Sequence, residues 1–160
     1  MEMIKQWEHK QEVELKGHKI VYGNFLPFSE NPNGNGRVYD KESISQECLN
    51  HFIERVNDRT AFGEYLDNSY DSDNIPAVIN IGHVSHCVTS LEKTDEGLIG
   101  EIEILNTPQG EMIKSLLKEG VKLCIRPRAT GAISEDGRVE VQEILSFDFI
   151  DAGRDSFKQL

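Results

Sequence analysis

Only two stretches of the chain space their apolar residues three and four apart, which limits how much helix it can form. In the first, Ile44, Cys48, Leu49, Phe52, Ile53 and Val56 fall on one stripe. That spacing predicts a helix over about residues 41–57, with Asp40 as its N-cap. In the second, Thr107 is the predicted N-cap, and Pro108 suits the first helical position because its missing N–H is not needed there. Met112, Ile113, Leu116 and Leu117 are its predicted buried side, and Gly120 its left-handed stop.

The other apolar residues lie in short runs between turn residues. Strands are expected near 11–16 and 19–27, joined by a turn at Gly17. Ser29 to Gly36 is a loop rich in Asn and Gly. Thr60 to Leu66 reads as a strand, Asp67 to Asn74 as an acidic loop and Ala77 to Ile81 as a further extended stretch. Val84 to Leu91 and Leu98 to Leu105 predict a hairpin around Thr94-Asp95-Glu96-Gly97. Val121 to Ile125 and residues 138–150 complete the strands. In the last, strict alternation puts Val139, Val141, Leu145, Phe147 and Phe149 on one face. Glu143 interrupts that face, as a bulge or an exposed stretch would allow. The sum is an α+β fold, mainly antiparallel β-sheet or barrel, with about seven strands and two main helices. It reads as a single domain over 1–160, with residues 1–10 as a candidate arm.

Charge narrows the partners. Lys and Arg total 17 against 28 Asp and Glu, a net charge of -11. A chain so acidic lacks the basic stripe that nucleic-acid backbones or anionic membrane surfaces require. No run of about 18 apolar residues predicts a membrane span, and the N-terminus lacks an apolar signal core. Cys48, Cys87 and Cys124 are isolated, so neither a zinc site nor a disulfide framework is expected, and a reducing cytoplasm fits. No cofactor is expected.

Individual motifs are incomplete. Asp67, Ser69, Asp71 and Asp73 alternate as calcium ligands do, but Ser72 stands where the loop needs Gly and Val78 where it needs Glu. A solvated loop is the expectation, and no metal site. His83 and His86 lie three apart on a predicted strand and so face opposite sides. By the same rule Ser85 and His86 point apart and are not expected to pair. There is no P-loop, no G-x-S-x-G elbow and no H-E-x-x-H. Arg126-Pro127-Arg128 is a compact basic spot, either a surface turn paired with carboxylates or an anion site. Read alone, the residues describe a soluble acidic α+β domain without a complete catalytic set.

The order of four segments adds to this. Tyr22 to Pro27 followed by Asn33-Gly34-Asn35-Gly36-Arg37-Val38-Tyr39 is the first, and Phe62-Gly63-Glu64-Tyr65-Leu66-Asp67 the second. The third runs from Ile79 to His86, through Leu98 to Leu105, to Thr107-Pro108-Gln109-Gly110. The fourth is Leu116 to Val121 continuing into Cys124-Ile125-Arg126-Pro127-Arg128-Ala129-Thr130-Gly131. Together they resemble the prohead core proteases of tailed bacteriophages, serine proteases of the herpesvirus assemblin type, over residues 20–152. The resemblance implies a phage protein of the host cytoplasm during assembly, with retention in the virion left open. Its implied partners are phage capsid or scaffold proteins, with self-association compatible.

The departures from the family pattern matter most. Its second segment reads Gly-Glu-Leu-Asp/Asn-His-Pro and supplies a histidine base. Here that position is Asp67, or Asn68 if Tyr65 is an insertion. Its fourth segment supplies a serine nucleophile from Ser-Ser-Arg-Gly. Here Arg126 and Pro127 replace the serines, while Arg128 matches the arginine. Arg offers no nucleophilic oxygen, and Pro lacks an N–H to serve as an oxyanion donor. The resemblance therefore implies an inactive relative, with Glu64, His86, Arg126 and Arg128 lining a vestigial cleft in which the arginines hold an acidic peptide. Two alternatives stay open: a divergent active serine protease with a relocated nucleophile, and a phage interaction protein directed at a host factor.

Overall fold

The computed structural model describes residues 14–16, 20–32, 36–66 and 75–151. At its centre is the expected hairpin of β4 (Val84–Lys93) and β5 (Gly97–Ile104). Its turn closes with the Thr94 N–H donating to the Gly97 carbonyl, and Gly97 has the positive φ that only glycine adopts without strain. β2 (Ile20–Pro27) pairs with the far edge of β5, and β1 (Glu14–Lys16) with β2. β3 (Phe62–Glu64) lines the other side of β4, giving an antiparallel sheet in the order β1-β2-β5-β4-β3. A separate long ribbon joins β6 (Leu123–Ile133) to β7 (Val139–Asp151). Among the described residues, seven strands and two α-helices make an α+β fold.

The core lies where the sheet, the ribbon and α1 (Gln46–Asn57) meet. Phe147 of β7 sits at its middle, 5.6 Å from the ring of Phe25 and 5.4 Å from that of Phe52. Burying such rings contributes about 2–3 kcal/mol each. The first helix differs from expectation. Asp40 caps only a 3-10 turn, Lys41–Ser43, through a reciprocal capping box. Ile44 is extended and buried, so the chain restarts, and Ser45 caps α1 by accepting from the Cys48 N–H. The second helix, α2 (Pro108–Lys118), begins and ends as predicted, with Thr107 accepting from the Gly110 N–H and Gly120 at positive φ. A side chain at Gly110 would run into the Leu105 carbonyl, which explains a glycine inside a helix. Met112, expected to be buried, is exposed, while Ile113 carries the packing.

β7 corrects the alternation argument. Its 13 residues face the 11 of β6, because the register slips at Leu145 and again at Gln142. Each slip flips the face. The residues of β7 in the core cluster are therefore Val139, Val141, Ile144, Phe147 and Phe149, with Ile144 in place of Leu145. Arg55 of α1 donates to the carbonyls of Ile144 and Leu145 at 3.3 and 2.7 Å, satisfying the backbone that the first slip disturbs. Ala77 to Ile81 joins no strand; a 3-10 turn at Ile81–His83 leads directly into β4. The N-terminal arm, the Gly17 turn and the acidic loop 67–74 lie outside the described residues.

Candidate functional site

Of the two positions where the resemblance places catalytic groups, Asp67 and Asn68 lie outside the described residues. Arg126 and Pro127 lie in mid-strand on β6, opposite Asp148 and Phe147. This corrects the reading of Arg126-Pro127-Arg128 as a surface turn. Pro127 faces the core and lines a small apolar cavity of about 30 Å³ with Leu26, Tyr39, Ile44 and Phe147. The Arg126 side chain is 1% exposed and is the largest of the fully buried ones.

Arg128 is the centre of the polar face of the ribbon. Its Nε and one Nη2 proton donate to the two carboxylate oxygens of Asp148, both at 2.9 Å. Nη2 also donates to Glu64 Oε2 on β3 at 3.2 Å. Nη1 donates to the carbonyls of Pro76 and Val78 at 3.1 and 3.0 Å. A guanidinium has five N–H donors, and all five are used. Asp148 is braced in turn by the Ser146 hydroxyl at 2.9 Å and the Glu64 N–H at 3.0 Å. Glu64 Oε2 also accepts the Asn80 N–H at 3.0 Å. Burial works against the Arg128 charge, but bonding to Asp148 and the nearby Glu64 charge more than offset it, so its pKa is raised. In this arrangement Arg128 has no donor left for an acidic peptide, contrary to the sequence expectation. Glu64, His86, Arg126 and Arg128 are all buried, so none meets solvent directly.

His86 forms a second tie between the layers. It is 0% exposed and opposes Gly63 across the β3–β4 pair. Its Nε2 lies 2.6 Å from the Phe147 carbonyl on β7. A carbonyl only accepts, so Nε2 carries the proton and Nδ1 is the acceptor. The Ser85 hydroxyl donates to Nδ1 at 2.6 Å. This corrects the expectation that Ser85 and His86 point apart. Ser85 is the extra residue of a bulge between Gly63 and Glu64 of β3, and a bulge re-aims a side chain. Burial lowers the His86 pKa to about 4, with Arg128 adding to the effect and the Phe147 carbonyl and Asp148 opposing it.

Gly63 makes this crossing feasible, because a Cβ there would overlap the His86 ring and the Phe147 carbonyl oxygen. Gly63→Ala is expected to destabilise by about 2–3 kcal/mol through that overlap, read as a lowered urea midpoint. A change below about 0.5 kcal/mol would show that the imidazole does not cross there.

His83, three residues away, is exposed, and its Nδ1 is 4.0 Å from Glu64 Oε1. Among the described residues no group of three His, Cys, Asp or Glu side chains is placed to hold a metal. No described helix is long and apolar enough to cross a membrane. Three participants were missed at the sequence level: Asp148, Ser146 and the segment Pro76–Asn80. Asp148 did leave a signal, since a carboxylate between Phe147 and Phe149 on a strand is either an edge residue or a buried partner for a cation.

A five-stranded antiparallel sheet, a long strand ribbon and two helices, tied by a buried Arg128 node and an imidazole crossing, make up the α+β fold of the described residues. A solved structure with this fold is that of the bacteriophage T4 capsid assembly protease gp21. It matches 88% of this chain and 88% of its own, with a TM-score of 0.60 and 18% sequence identity. No protein-family model matches the sequence, and no curated protein sequence matches it.

Proposed function

We propose that this chain is a catalytically inactive prohead-protease-like protein that acts in phage capsid assembly, binding scaffold or capsid proteins in the host cytoplasm. The observation that carries the reading is the content of mid-β6. Arg126 and Pro127 stand where the resemblance calls for a nucleophile, and neither side chain can attack a carbonyl. The likeness to a capsid assembly protease supports the setting, and Gly63, Glu64 and Arg128, which match the family pattern, sit in the ties that hold β3, β6 and β7 together. What is kept is the framework; what has changed is the chemistry.

The test uses the purified full chain with synthetic peptides covering tailed-phage scaffold and capsid proteins. The expected results are no cleavage by mass spectrometry, no labelling by a serine-directed fluorophosphonate, and saturable binding of at least one peptide by fluorescence anisotropy. Cleavage or covalent labelling would overturn the inactive reading, and absence of any binding would overturn the assembly role.

One observation favours the second reading, a relocated active site. Ser85, His86 and the Phe147 carbonyl form a hydroxyl–imidazole–acceptor relay of the kind that activates a nucleophile. Both side chains are 0% exposed, so a substrate cannot reach them without opening β3 from β4. If hydrolysis is seen, Ser85→Ala decides: loss of that activity assigns it to this relay.

A further inference from the structure

The two halves of β6 differ. Leu123 to Arg128 are buried, whereas Ala129, Thr130, Gly131, Ala132 and Ile133 are all exposed, Ile133 by 49%. A strand with one face on a core buries every second residue. Here five in a row are open, although Val139, Val141 and Ile144, the β7 partners of Ile133, Gly131 and Ala129, are buried. The core reaches β7 and stops short of this half of β6. Among the described residues no strand pairs with the outer edge of β6. The Ser134 N–H donates to the Arg138 carbonyl and the Ser134 carbonyl accepts the Gly137 N–H, so Ser134 turns its polar groups toward β7. Alternation turns those of Ala132 and Thr130 the same way and leaves those of Ile133, Gly131 and Ala129 on the outer edge. Free edges are usually protected by charge or proline. Ala129 to Ile133 carries neither.

The two faces of this edge differ in chemistry. One carries Thr130 and Ala132, with Glu143 and Glu140 behind them on β7; the other carries Gly131 and Ile133, with Val141 and Val139 behind. Near the turn an open recess of about 340 Å³ is lined by Ala132, Ile133, Ser134, Asp136, Arg138 and Glu140. The charge of Arg138 is matched by Asp40, at 2.8 and 3.0 Å, and by Glu42, at 3.4 Å. Glu143 shares the field of Arg55, but Glu140 has no hydrogen bond or ion pair among the described residues. We propose that the outer edge of β6 from Ala129 to Ile133 takes an added strand from a basic partner, in a segment that alternates basic and aliphatic residues. Its main chain bonds Ala129, Gly131 and Ile133, and its aliphatic side chains extend the apolar face. Its basic side chains pass over the short Thr130 and Ala132 toward Glu143 and Glu140. Strands lie about 4.8 Å apart, and two such spacings are within the combined reach of a Lys or Arg stem and a Glu stem. A second copy fits less well, since each chain brings a net charge of -11 and its own Glu140. The inference rests on the proposed function only for whether the partner is a scaffold or capsid protein; the edge and its charge stand apart from it.

Two measurements on the full chain test it. The first is amide hydrogen exchange of the free protein, read residue by residue by NMR. The Gly131 and Ile133 amides should exchange about 100-fold faster than those of Thr130 and Ala132. Equal protection of all four would overturn the free edge. The second uses the fluorescein-labelled peptide Thr-Lys-Val-Lys-Val-Lys-Thr. Its binding should saturate, slow exchange at Gly131 and Ile133 about tenfold, and weaken about tenfold with Glu140→Lys. Glu47→Lys, an equal charge change in the exposed first turn of α1, should alter affinity less than about twofold, which separates the site from general attraction to an acidic chain. A peptide with Glu for each Lys should not bind. Equal weakening by Glu140→Lys and Glu47→Lys, or binding without slowed exchange at Gly131 and Ile133, would overturn the proposal. So would concentration-dependent dimers in sedimentation that vanish with Ile133→Pro, because they assign the edge to a second copy. Neither readout involves hydrolysis or a phage peptide, so failure here is separable from failure of the proposed function.

Discussion

Replacing Arg128 by Met should lower the free energy of unfolding by about 3–5 kcal/mol in urea titrations. The reason is less the loss of a favourable pair than what is left behind. Asp148 and Glu64 would face each other as buried carboxylates without their cation, and the Pro76 and Val78 carbonyls would lose their donor. Arg128→Lys should recover only part of the loss. It restores the charge, but a single ammonium cannot offer two parallel bonds to Asp148 and also reach the Pro76 and Val78 carbonyls. Replacing Arg128, Asp148 and Glu64 together by Met, Leu and Leu should be far milder than Arg128→Met alone, because it removes the orphaned charges with the bonds. A cost below about 1 kcal/mol for Arg128→Met would contradict the central place given to this side chain.

Acid should destabilise the protein through His86. Its folded pKa is about 4, against about 6.5 for a histidine in an unfolded chain. Between those values the unfolded state binds a proton that the folded state refuses, so unfolding gains free energy as pH falls. Stability should therefore decline from about pH 6.5 to about pH 4, by about 3 kcal/mol in total, and this contribution should level off below. His86→Gln removes the titrating group, so the difference between the two urea-stability profiles isolates it from the carboxylates. Parallel profiles for wild type and His86→Gln would mean that the imidazole is not held neutral between β4 and β7. Ser85 shares the effect: a protonated His86 has no lone pair for the Ser85 hydroxyl.

How much of this was legible beforehand depended on the range of the interaction. The β4–β5 hairpin and the ends of α2 were readable because Gly97, Thr107, Pro108 and Gly120 act within a few residues of themselves. The break between the 3-10 turn and α1 was not, because Ile44 continues the apolar stripe and only its extended backbone separates the two. The Ser85–His86 bond depended on a bulge whose partner strand lies some twenty residues earlier in the chain. The Arg128 node is the extreme case. Its carboxylates come from Glu64 and Asp148, and its carbonyls from Pro76 and Val78, in a stretch with no Asp, Glu, Lys or Arg. The sequence marked Glu64 and Arg128 as matching a family pattern, but it did not say that they touch, nor that Asp148 joins them. The expectation that the arginines hold an acidic peptide does not fit Arg128: its positive charge is present, and the chain itself consumes it.

The two register slips in β7 have a consequence for tolerance to change. Each slip leaves one residue of β7 outside the ladder, so the pairs on both sides keep the face that β6 dictates. Deleting Leu145 alone would make Ile144 and Ser146 consecutive opposite Ala129 and Arg128, with every pair and every face kept. Deleting Gln142 as well would remove the second excess residue in the same way. The ribbon therefore carries slack at two points, and loss of either costs local twist and not the side that meets the core.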